Sequence, residues 1–505
     1  MPARRQVLGC LLLAAGCADP GGVAVRVDVP DDPALDPLTR PVAALTLTSE
    51  RDGAVVHAAT VRDPGRGADL DFGDLPVGDD VRFALTGVVA SGRVVAYGRA
   101  AAPVDVVAGA QVEVPIHLRR PFTYVAGGAE LLAADAGGAP GDAYATTIAA
   151  AGPVDAAAAL PDGAGVVVVA GDALRVVSTA THALDGADAV TLAGPVDDLA
   201  LSTDGRWAVA SHREPPTGVS IVDVAALRAH AATPARFVAT GPAGAVAVDD
   251  ATAWVVEAPL DNLFCGGASR LRGIALADAG AAPTTLDLGG PAGDVAVGDD
   301  GAVLVVLPCG DRVVRVAPGA AAPTTLLELP GASAVAAARG RVWATGHVDG
   351  ADAHLTLASV PATGGTPTVV ALPTLEGRAR ATTLDGQGQT VLIVMTSDLA
   401  AASRLAILPD GEHAAIVVAA GYLTEPSGGD GGGPPVIPSL TLVTFEYQLI
   451  QLDTGLAAQR LRLSCDITWE PGALLDGFVC DLAPGQDEVA SPFVPTDLTV
   501  LYGSR

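Results

Sequence analysis

A short pattern recurs along this chain, in which an apolar strand runs into a tight polar turn and a second apolar strand follows. Gly152-Pro153 leads to the Asp162-Gly163 turn, Gly194-Pro195 to Asp204-Gly205, Gly241-Pro242 to Asp249-Asp250, and Gly290-Pro291 to Asp300-Gly301. Pro330 leads to Arg339-Gly340 at the same offset, and Leu405-Ala406-Ile407-Leu408 before Asp410-Gly411 is a sixth copy without the leading proline. Three of the four tryptophans, Trp207, Trp254 and Trp343, fall at the equivalent position just after the turn. Repetition at this interval constrains the fold more than any other feature, because one short twisted sheet cannot bury both of its faces alone and must be covered by its neighbours.

Intervals of about 40 to 50 residues with four short strands each suit the blades of a propeller. The third blade can be read whole, with strands over 198–202, 207–211, 219–224 and 235–240. A seventh copy, Pro495-Thr496-Asp497-Leu498-Thr499-Val500, stands at the C-terminus with no blade after it. Its missing partners are expected at 122–125, 130–134 and 146–150, so the last strand would close the ring against the first and remove the open sheet edges. Alternating strands over 23–29, 43–48, 54–61, 81–87, 94–97 and 112–118, separated by Asp, Gly and Pro turns, indicate a separate small β-sandwich. The fold class expected is therefore all-β, an N-terminal β-sandwich followed by a seven-bladed β-propeller closed by the C-terminal strand.

The run from Asp198 through Asp204-Gly205-Arg206-Trp207 to Ser211, followed by Val219-Ser220-Ile221-Val222-Asp223-Val224, resembles the YVTN and NHL group of propellers. The resemblance covers the repeats, roughly 121–505, and the chain departs from the YVTN pattern by having Trp207 and Ser211 at the tyrosine and asparagine positions. It implies a propeller fold; members mostly serve as binding or scaffold modules, with some enzymes among them, and fold by itself does not give function.

At the N-terminus Arg4 and Arg5 precede an apolar run from Val7 to Ala15 and then Gly16-Cys17. A basic flank with so short an apolar segment reads as a secretory signal and not as a membrane span. Leu13-Ala14-Ala15-Gly16-Cys17 resembles a bacterial lipobox, which implies cleavage before Cys17 and acylation of its thiol; an ordinary signal peptide is the plainer alternative. Ala18 after the cysteine points to the outer membrane. The divisions expected are a signal peptide over 1–16, a sandwich spacer over 17–120 and the propeller over 121–505. Two or more acyl chains hold a protein to a bilayer stably, whereas one binds only marginally.

The chain contains no lysine, and its 29 basic residues are all arginine against 57 acidic ones, a formal charge of −28. A P-loop lysine, a Schiff-base lysine and Ser-Lys catalysis are thereby excluded. Nucleic acid is not an expected partner, since binding phosphate requires basic clusters, and beyond the signal the only adjacent arginines are Arg119-Arg120, at a domain junction.

Six cysteines are present, of which Cys10 would leave with the signal and Cys17 would carry lipid. The remaining four allow three pairings. Cys265 with Cys309 is favoured because both fall between the second and third strands of adjacent blades, and Cys465 with Cys480 then brackets a short insertion. No CxxC motif exists, which argues against redox catalysis or a thiolate zinc site.

Insertions at 211–218, 258–270, 346–353 and 421–438, with the connecting segments 374–400 and 466–492, are expected on one face of the ring. Asp155, Asp197, Asp294 and Asp497 are expected near the channel entrance, where converging carboxylates would raise one another's pKa or hold a divalent cation; the plain alternative is that each caps backbone amides. His347 and His354 with Asp349 and Asp352 could ligate metal, with His212 in a loop on the same face, although histidines at hairpin tips are more often solvated surface residues. Asp69 to Asp74 lacks the glycine and closing glutamate of an EF-hand loop and reads as a turn. No cofactor is implied beyond that optional cation. The function expected is a lipid-anchored binding or scaffolding module presenting its loop-rich face to an envelope protein or glycan, without catalysis. The alternatives are a metal-assisted hydrolase or lyase at the channel aspartates, with His347 as a further candidate, and a passive coat component.

Overall fold

A computed structural model of the chain describes residues 22–502 except 52–53, 65–76, 109–110, 129, 139–144, 151, 232–233, 259–264, 266, 279, 349–353, 374–378, 385–389, 396–398, 424–439, 470–474, 481–486 and 489–494. It is all-β, and most of its sheets are four-stranded and antiparallel, as the blades of a propeller are. The unit read whole from the sequence has strands Asp198–Leu201, Trp207–His212, Gly218–Asp223 and Ala235–Ala239, paired in that order.

Equivalent sheets follow one another along the chain. Their first strands are Val154–Ala159, Asp198–Leu201, Ala243–Val248, Val295–Val297, Ala334–Ala338 and Leu399–Ile407. A further four-stranded sheet takes Phe122–Gly127, Glu130–Asp135 and Ala145–Ala149 from one end of the repeats and Pro495–Val500 from the other. There Pro495–Val500 pairs antiparallel with Phe122–Gly127 at the inner edge. Each of these first strands, called inner strands below, packs on that of the sheets before and after it, and Pro495–Val500 packs on both Leu399–Ile407 and Val154–Ala159, so the order is cyclic.

The repeated Asp-Gly turn has a physical cause. Asp162, Asp204, Asp249, Asp300 and Asp410 each accept the backbone N–H two residues on, at 2.9, 2.9, 2.8, 3.1 and 2.9 Å. This Asx turn fixes the reversal, and at the four Asp-Gly copies the glycine then takes positive φ, +71° at Gly205, without a Cβ penalty.

The apolar runs also follow from the packing. In Gly165–Ala170 all six residues are buried, yet Val166 and Val168 join a core shared with Phe122, Tyr124 and Leu131, while Val167 and Val169 join one shared with Leu199, Ala208 and Val222. Side chains alternate across a strand with period two. Because each sheet is covered on both faces by its neighbours, both sets are apolar, and alternation disappears from the sequence. Every core cluster in the repeats is shared in this way between successive sheets.

Residues 22–118 form a separate core. Gly22–Asp28 pairs in parallel with Gln111–His117, and Ala44–Arg51, Ala54–Arg62, Gly78–Val88 and Val94–Arg99 make one sheet that also includes Val104–Val106, a strand absent from the sequence reading. Val25, Leu45, Leu47, Phe83, Val114 and Ile116 are buried together between the two.

This unit docks on the end of the ring that carries the Asp-Gly turns. Arg119 is buried and donates from Nε to Thr179 Oγ1 at 3.0 Å, from Nη1 to the carbonyls of Asp28 and Leu118 at 2.9 and 3.0 Å, and from Nη2 to the Asp28 carboxylate at 2.9 Å. Arg120 donates to the Asp36 carbonyl at 3.2 Å and meets the buried Asp135 at 3.4 Å, where Arg40 also lies at 2.6 Å. Arg99 donates to the Pro161 carbonyl at 2.9 Å, and the Tyr502 hydroxyl donates to the carbonyls of His117 and Asp162. A Cβ on Gly163 would fall 1.9 Å from that hydroxyl oxygen, so the turn glycine also makes room for the closing segment.

Candidate functional site

The inner strands all begin at the opposite end of the ring, and the second strand of each sheet ends there. The connections after His212, Glu257, Leu307, Val348 and Leu423 therefore leave from this upper end. So do the segments that enter and leave the sheet containing Leu399–Ile407. That sheet is longer than the others: its strands His413–Leu423, Leu440–Gln451 and Ala457–Trp469 have 11, 12 and 13 residues, against 6 in Trp207–His212 and Gly218–Asp223. The surplus of about five residues, at roughly 3.4 Å each, carries it some 17 Å farther along the strand direction.

The flanking segments 374–400 and 466–492, expected as connecting loops, contain strands. Ala379–Leu384 pairs with Thr390–Met395 on one side and with Leu475–Cys480 on the other. Two stretches that are distant in sequence complete one small sheet, and neither stretch carries the repeat that would have signalled it.

At the start of the inner strands three carboxylates make the same pair of bonds. Asp497 accepts the N–H of Leu498 at 2.8 Å and that of Ala157 on the next inner strand at 2.9 Å. Asp198 does so with Leu199 and Val246 at 2.9 and 2.8 Å, and Asp294 with Val295 and Val335 at 2.9 Å each. Each carboxylate thus bridges two neighbouring sheets. Asp198 and Asp497 are buried, while Asp294 keeps a little solvent contact.

Arg404, on Leu399–Ile407, reaches into this group. Its Nε lies 3.1 Å from Asp497 Oδ1 and its Nη2 3.8 Å from Asp198 Oδ1. Burial alone would lower the guanidinium pKa, but the fields of Asp497, Asp198 and Asp294 outweigh it and hold the cation more firmly charged. Burial pushes Asp294 up to about 6 even though Arg404 and two N–H donors pull it down.

Of the four aspartates taken from the sequence, the structure gathers Asp294 and Asp497. Asp197 points elsewhere: it accepts the Arg213 N–H at 2.7 Å and pairs with the Arg213 side chain at 3.3 Å, and burial raises its pKa against that pull. Asp155, on the edge of the same end, is raised by burial, and among the described residues no arginine pairs with it. The group contains instead Asp198 and Arg404, which sequence reasoning passed over. A signal for both was available. Asp198, Asp294 and Arg404 each stand six residues before the turn aspartates Asp204, Asp300 and Asp410, whereas Asp197 is one residue out of that register.

His212 is not in a loop. It ends Trp207–His212 fully buried, with Nδ1 2.8 Å from the Pro195 carbonyl and Nε2 2.8 Å from Ser220 Oγ, so it is a satisfied core histidine. His347 lies 3.3 Å from the Gly331 carbonyl and His354 begins the following strand; Asp349 and Asp352 lie outside the described residues, as do Asp69 to Asp74 and Cys17. Among the described residues no cluster of three histidine, cysteine or acidic side chains has a metal-binding arrangement.

Cys265 and Cys309 form a disulfide that joins connections of successive sheets at the upper end, with Cα atoms 5.6 Å apart. Cys465 and Cys480 stand on Ala457–Trp469 and Leu475–Cys480, strands of two different sheets, and their side chains lie outside the described residues.

No protein-family model matches the chain, and no curated protein does. Solved structures with a similar fold include the dihydro-heme d1 dehydrogenase NirN, at 12% identity and a TM-score of 0.37 over 68% of this chain and 73% of that one. The streptogramin B lyase structure is similar at 11% identity and a TM-score of 0.36 over 52% and 89% of the two chains. A nidogen/laminin complex is similar at 12% identity and a TM-score of 0.35 over 48% and 89%. At these scores the likenesses carry no argument about activity; the propeller-like character of the chain rests on its own sheets.

Proposed function

We propose that this chain is a lipid-anchored protein of the bacterial outer membrane, built as an N-terminal β-sandwich over 17–120 and a seven-bladed propeller of the YVTN and NHL kind over 121–505. It acts by presenting the loop-bearing end of the propeller to an envelope protein or glycan. The cyclic packing of inner strands and the sharing of each core between successive sheets support the ring. The two packed sheets of residues 22–118 support the sandwich.

One observation carries the functional reading: the two ends of the molecule are unlike in the way an anchored receptor requires. Asp28, the last residue of Gly22–Asp28, sits against Arg119 at the junction, so the strand runs from its far end toward the ring. Its seven residues span roughly 23 Å. A lipid on Cys17, five residues before Gly22, would then lie beyond the pole opposite the loops and the lengthened sheet, leaving that end clear of the bilayer.

The competing reading of a metal-assisted hydrolase takes second place. Only two of its four aspartates come together, and one of them, Asp497, is paired with Arg404 at 3.1 Å. Crosslinking of intact source cells, followed by recovery of the protein and mass spectrometry, tests the proposal. A reproducible partner crosslinked through 213–217, 258–269 or 349–353 is expected. Recovery of the protein alone, or crosslinks confined to 22–118, would refute it.

A further inference from the structure

The N-terminal unit has two ends, and only one of them meets the ring. Val94–Arg99 lies against the ring, where Tyr97 packs edge-on against Tyr502 with ring centroids 5.2 Å apart and Arg99 donates to the Pro161 carbonyl at 2.9 Å. That strand pairs with residues 84–88, the second half of Gly78–Val88. The start of Gly78–Val88 lies six residues farther out, roughly 20 Å along the strand. Four other strands begin or end beside it. Val104–Val106 reaches it through the pair Val106 and Gly78, and Ala44–Arg51 ends where Arg51 Nη2 donates to the Val77 carbonyl at 3.0 Å. Ala54–Arg62 starts opposite Arg51, and Gly22–Asp28 starts opposite Gln111, five residues after Val106.

This far pole is apolar on its surface. Val55, Val56, Val77 and Val107 flank it and are 59, 43, 48 and 53% exposed. They are four of the eight large apolar side chains that are exposed among the described residues. Single exposed valines are ordinary, but half of them at one pole of one unit mark a contact surface. The path of the chain indicates what lies against it. Gly22 is at this pole, and Cys17 precedes it by five residues, which span at most ~17 Å when fully extended. Asp79, Asp80 and Asp105 are exposed two or three residues behind the valines, with the Asp80 N–H donating to Asp105 at 3.0 Å. An anionic surface would be repelled there, whereas neutral, zwitterionic headgroups would not.

We infer that the pole formed by Val55, Val56, Val77 and Val107 rests in the headgroup layer of a zwitterionic bilayer, which makes the N-terminal unit a foot as well as a spacer. This rests on the lipid-anchored reading above. Four valines leave water on contact, and an anchor within a few residues raises their effective concentration at the surface, so a weak contact suffices. The foot would set the tilt of the molecule, which a flexible tether on Cys17 alone would leave free.

The test uses the full chain, its acyl groups established by intact mass, in vesicles of phosphatidylcholine brominated on the acyl chains, because bromine quenches only the tryptophans it touches. Val107→Trp and Val56→Trp each add a reporter at the pole to the four native tryptophans, and Thr217→Trp adds one at the opposite end of the ring. Relative to unbrominated vesicles, the emission added at 107 and 56 should be quenched, and that of the wild type and of Thr217→Trp should not. Adding Val55→Ser and Val77→Ser to Val107→Trp should reduce the quenching and leave the melting temperature unchanged, since both side chains are exposed. An acylated chain with unquenched Val107→Trp emission would overturn the foot and leave the anchor standing. Quenching that appears only with added phosphatidylglycerol would also overturn it, as would Val107→Trp emission that changes with protein concentration in the absence of vesicles, which would give the pole to a second copy. A mass without acyl groups would refute the anchored reading itself and, with it, the bilayer as occupant.

Discussion

Asp28, at the junction below the ring, and Asp294, at the ring's opposite end, have carboxyl groups shifted in opposite directions. Burial raises Asp28, but hydrogen bonds from His117 and Arg119 outweigh it and hold its pKa at about 2. Burial raises Asp294 to about 6, and its attractive partners recover only part of the cost. At the lower end, an arginine that also donates to two backbone carbonyls and a threonine locks one folded unit to another. At the upper end, one arginine is shared among three acids. The same two residue types make a saturated junction in one place and an electrostatically tense one in the other, and the difference lies in how many carboxylates each guanidinium must serve.

The largest effect should come from breaking the ring at its seam. Deleting residues 493–505 removes the strand that pairs with Phe122–Gly127 and packs on two other inner strands. Calorimetry should then show the single cooperative transition of the ring lost, and an unchanged melting profile would contradict closure. Next comes the lower junction, where Arg119→Ala removes the buried guanidinium that bonds Thr179 Oγ1, the carbonyls of Asp28 and Leu118 and the Asp28 carboxylate, although Asp28 keeps His117 at 2.8 Å. That should cost about 1.5–3 kcal/mol by chemical denaturation, with little rescue by lysine, which cannot reproduce the fork of bonds.

Removing the disulfide with Cys309→Ser should destabilise by up to about 4 kcal/mol on the loop-entropy model for its 44-residue separation. The loss should appear without any change at the lower junction, and an equal melting temperature for the oxidised and reduced protein would oppose it.

The two carboxylates make a sharper comparison through pH. Asp28 titrates lower when folded than its ordinary value of 3.8, so its stabilisation is complete above that value and is lost as pH falls toward 2. Asp294 titrates higher when folded, so its contribution runs the other way, and stability should rise as pH falls from about 6 toward 4. Asp294→Asn should flatten the profile between pH 4 and 6 and leave the acid limb, to which Asp28 contributes, in place; a profile unaltered in that window would refute the assignment. The smallest effect is expected at the turn tips. Arg206 lies 4.8 Å over the Trp207 ring, and Arg206→Ala should cost about 0.5–1 kcal/mol by chemical denaturation.

Much of the fold was legible because it depends on local and periodic causes. Asx turns, positive-φ glycines and runs buried on both faces each leave a mark within a few residues, so the strands around Asp198 to Ala239 and the pairing of Pro495–Val500 with Phe122–Gly127 could be read in advance. The favoured Cys265–Cys309 pairing was legible for the same reason, since repeat register alone puts the two connections side by side. The mouth was only half legible. Asp155 and Asp197 follow the Gly-Pro landmark, but the bulge that opens the inner strands, seen between Val154 and Ala156, means that counting from the proline is unsafe and counting back from the turn is sound. Arg404 is not marked by that landmark, because its copy lacks the proline.

The sequence by itself determined the all-β class, the repeat, the turns and the apolar runs, because each is decided by neighbours along the chain or by a face that must be covered. Only the tertiary structure decided that Arg119 and Arg120 hold two units together, that segments 374–400 and 466–492 share a sheet, and that one arginine stands among Asp198, Asp294 and Asp497. Those arrangements join residues tens to hundreds of positions apart. Their energies depend on distance and burial in three dimensions, and no periodicity along the chain records either.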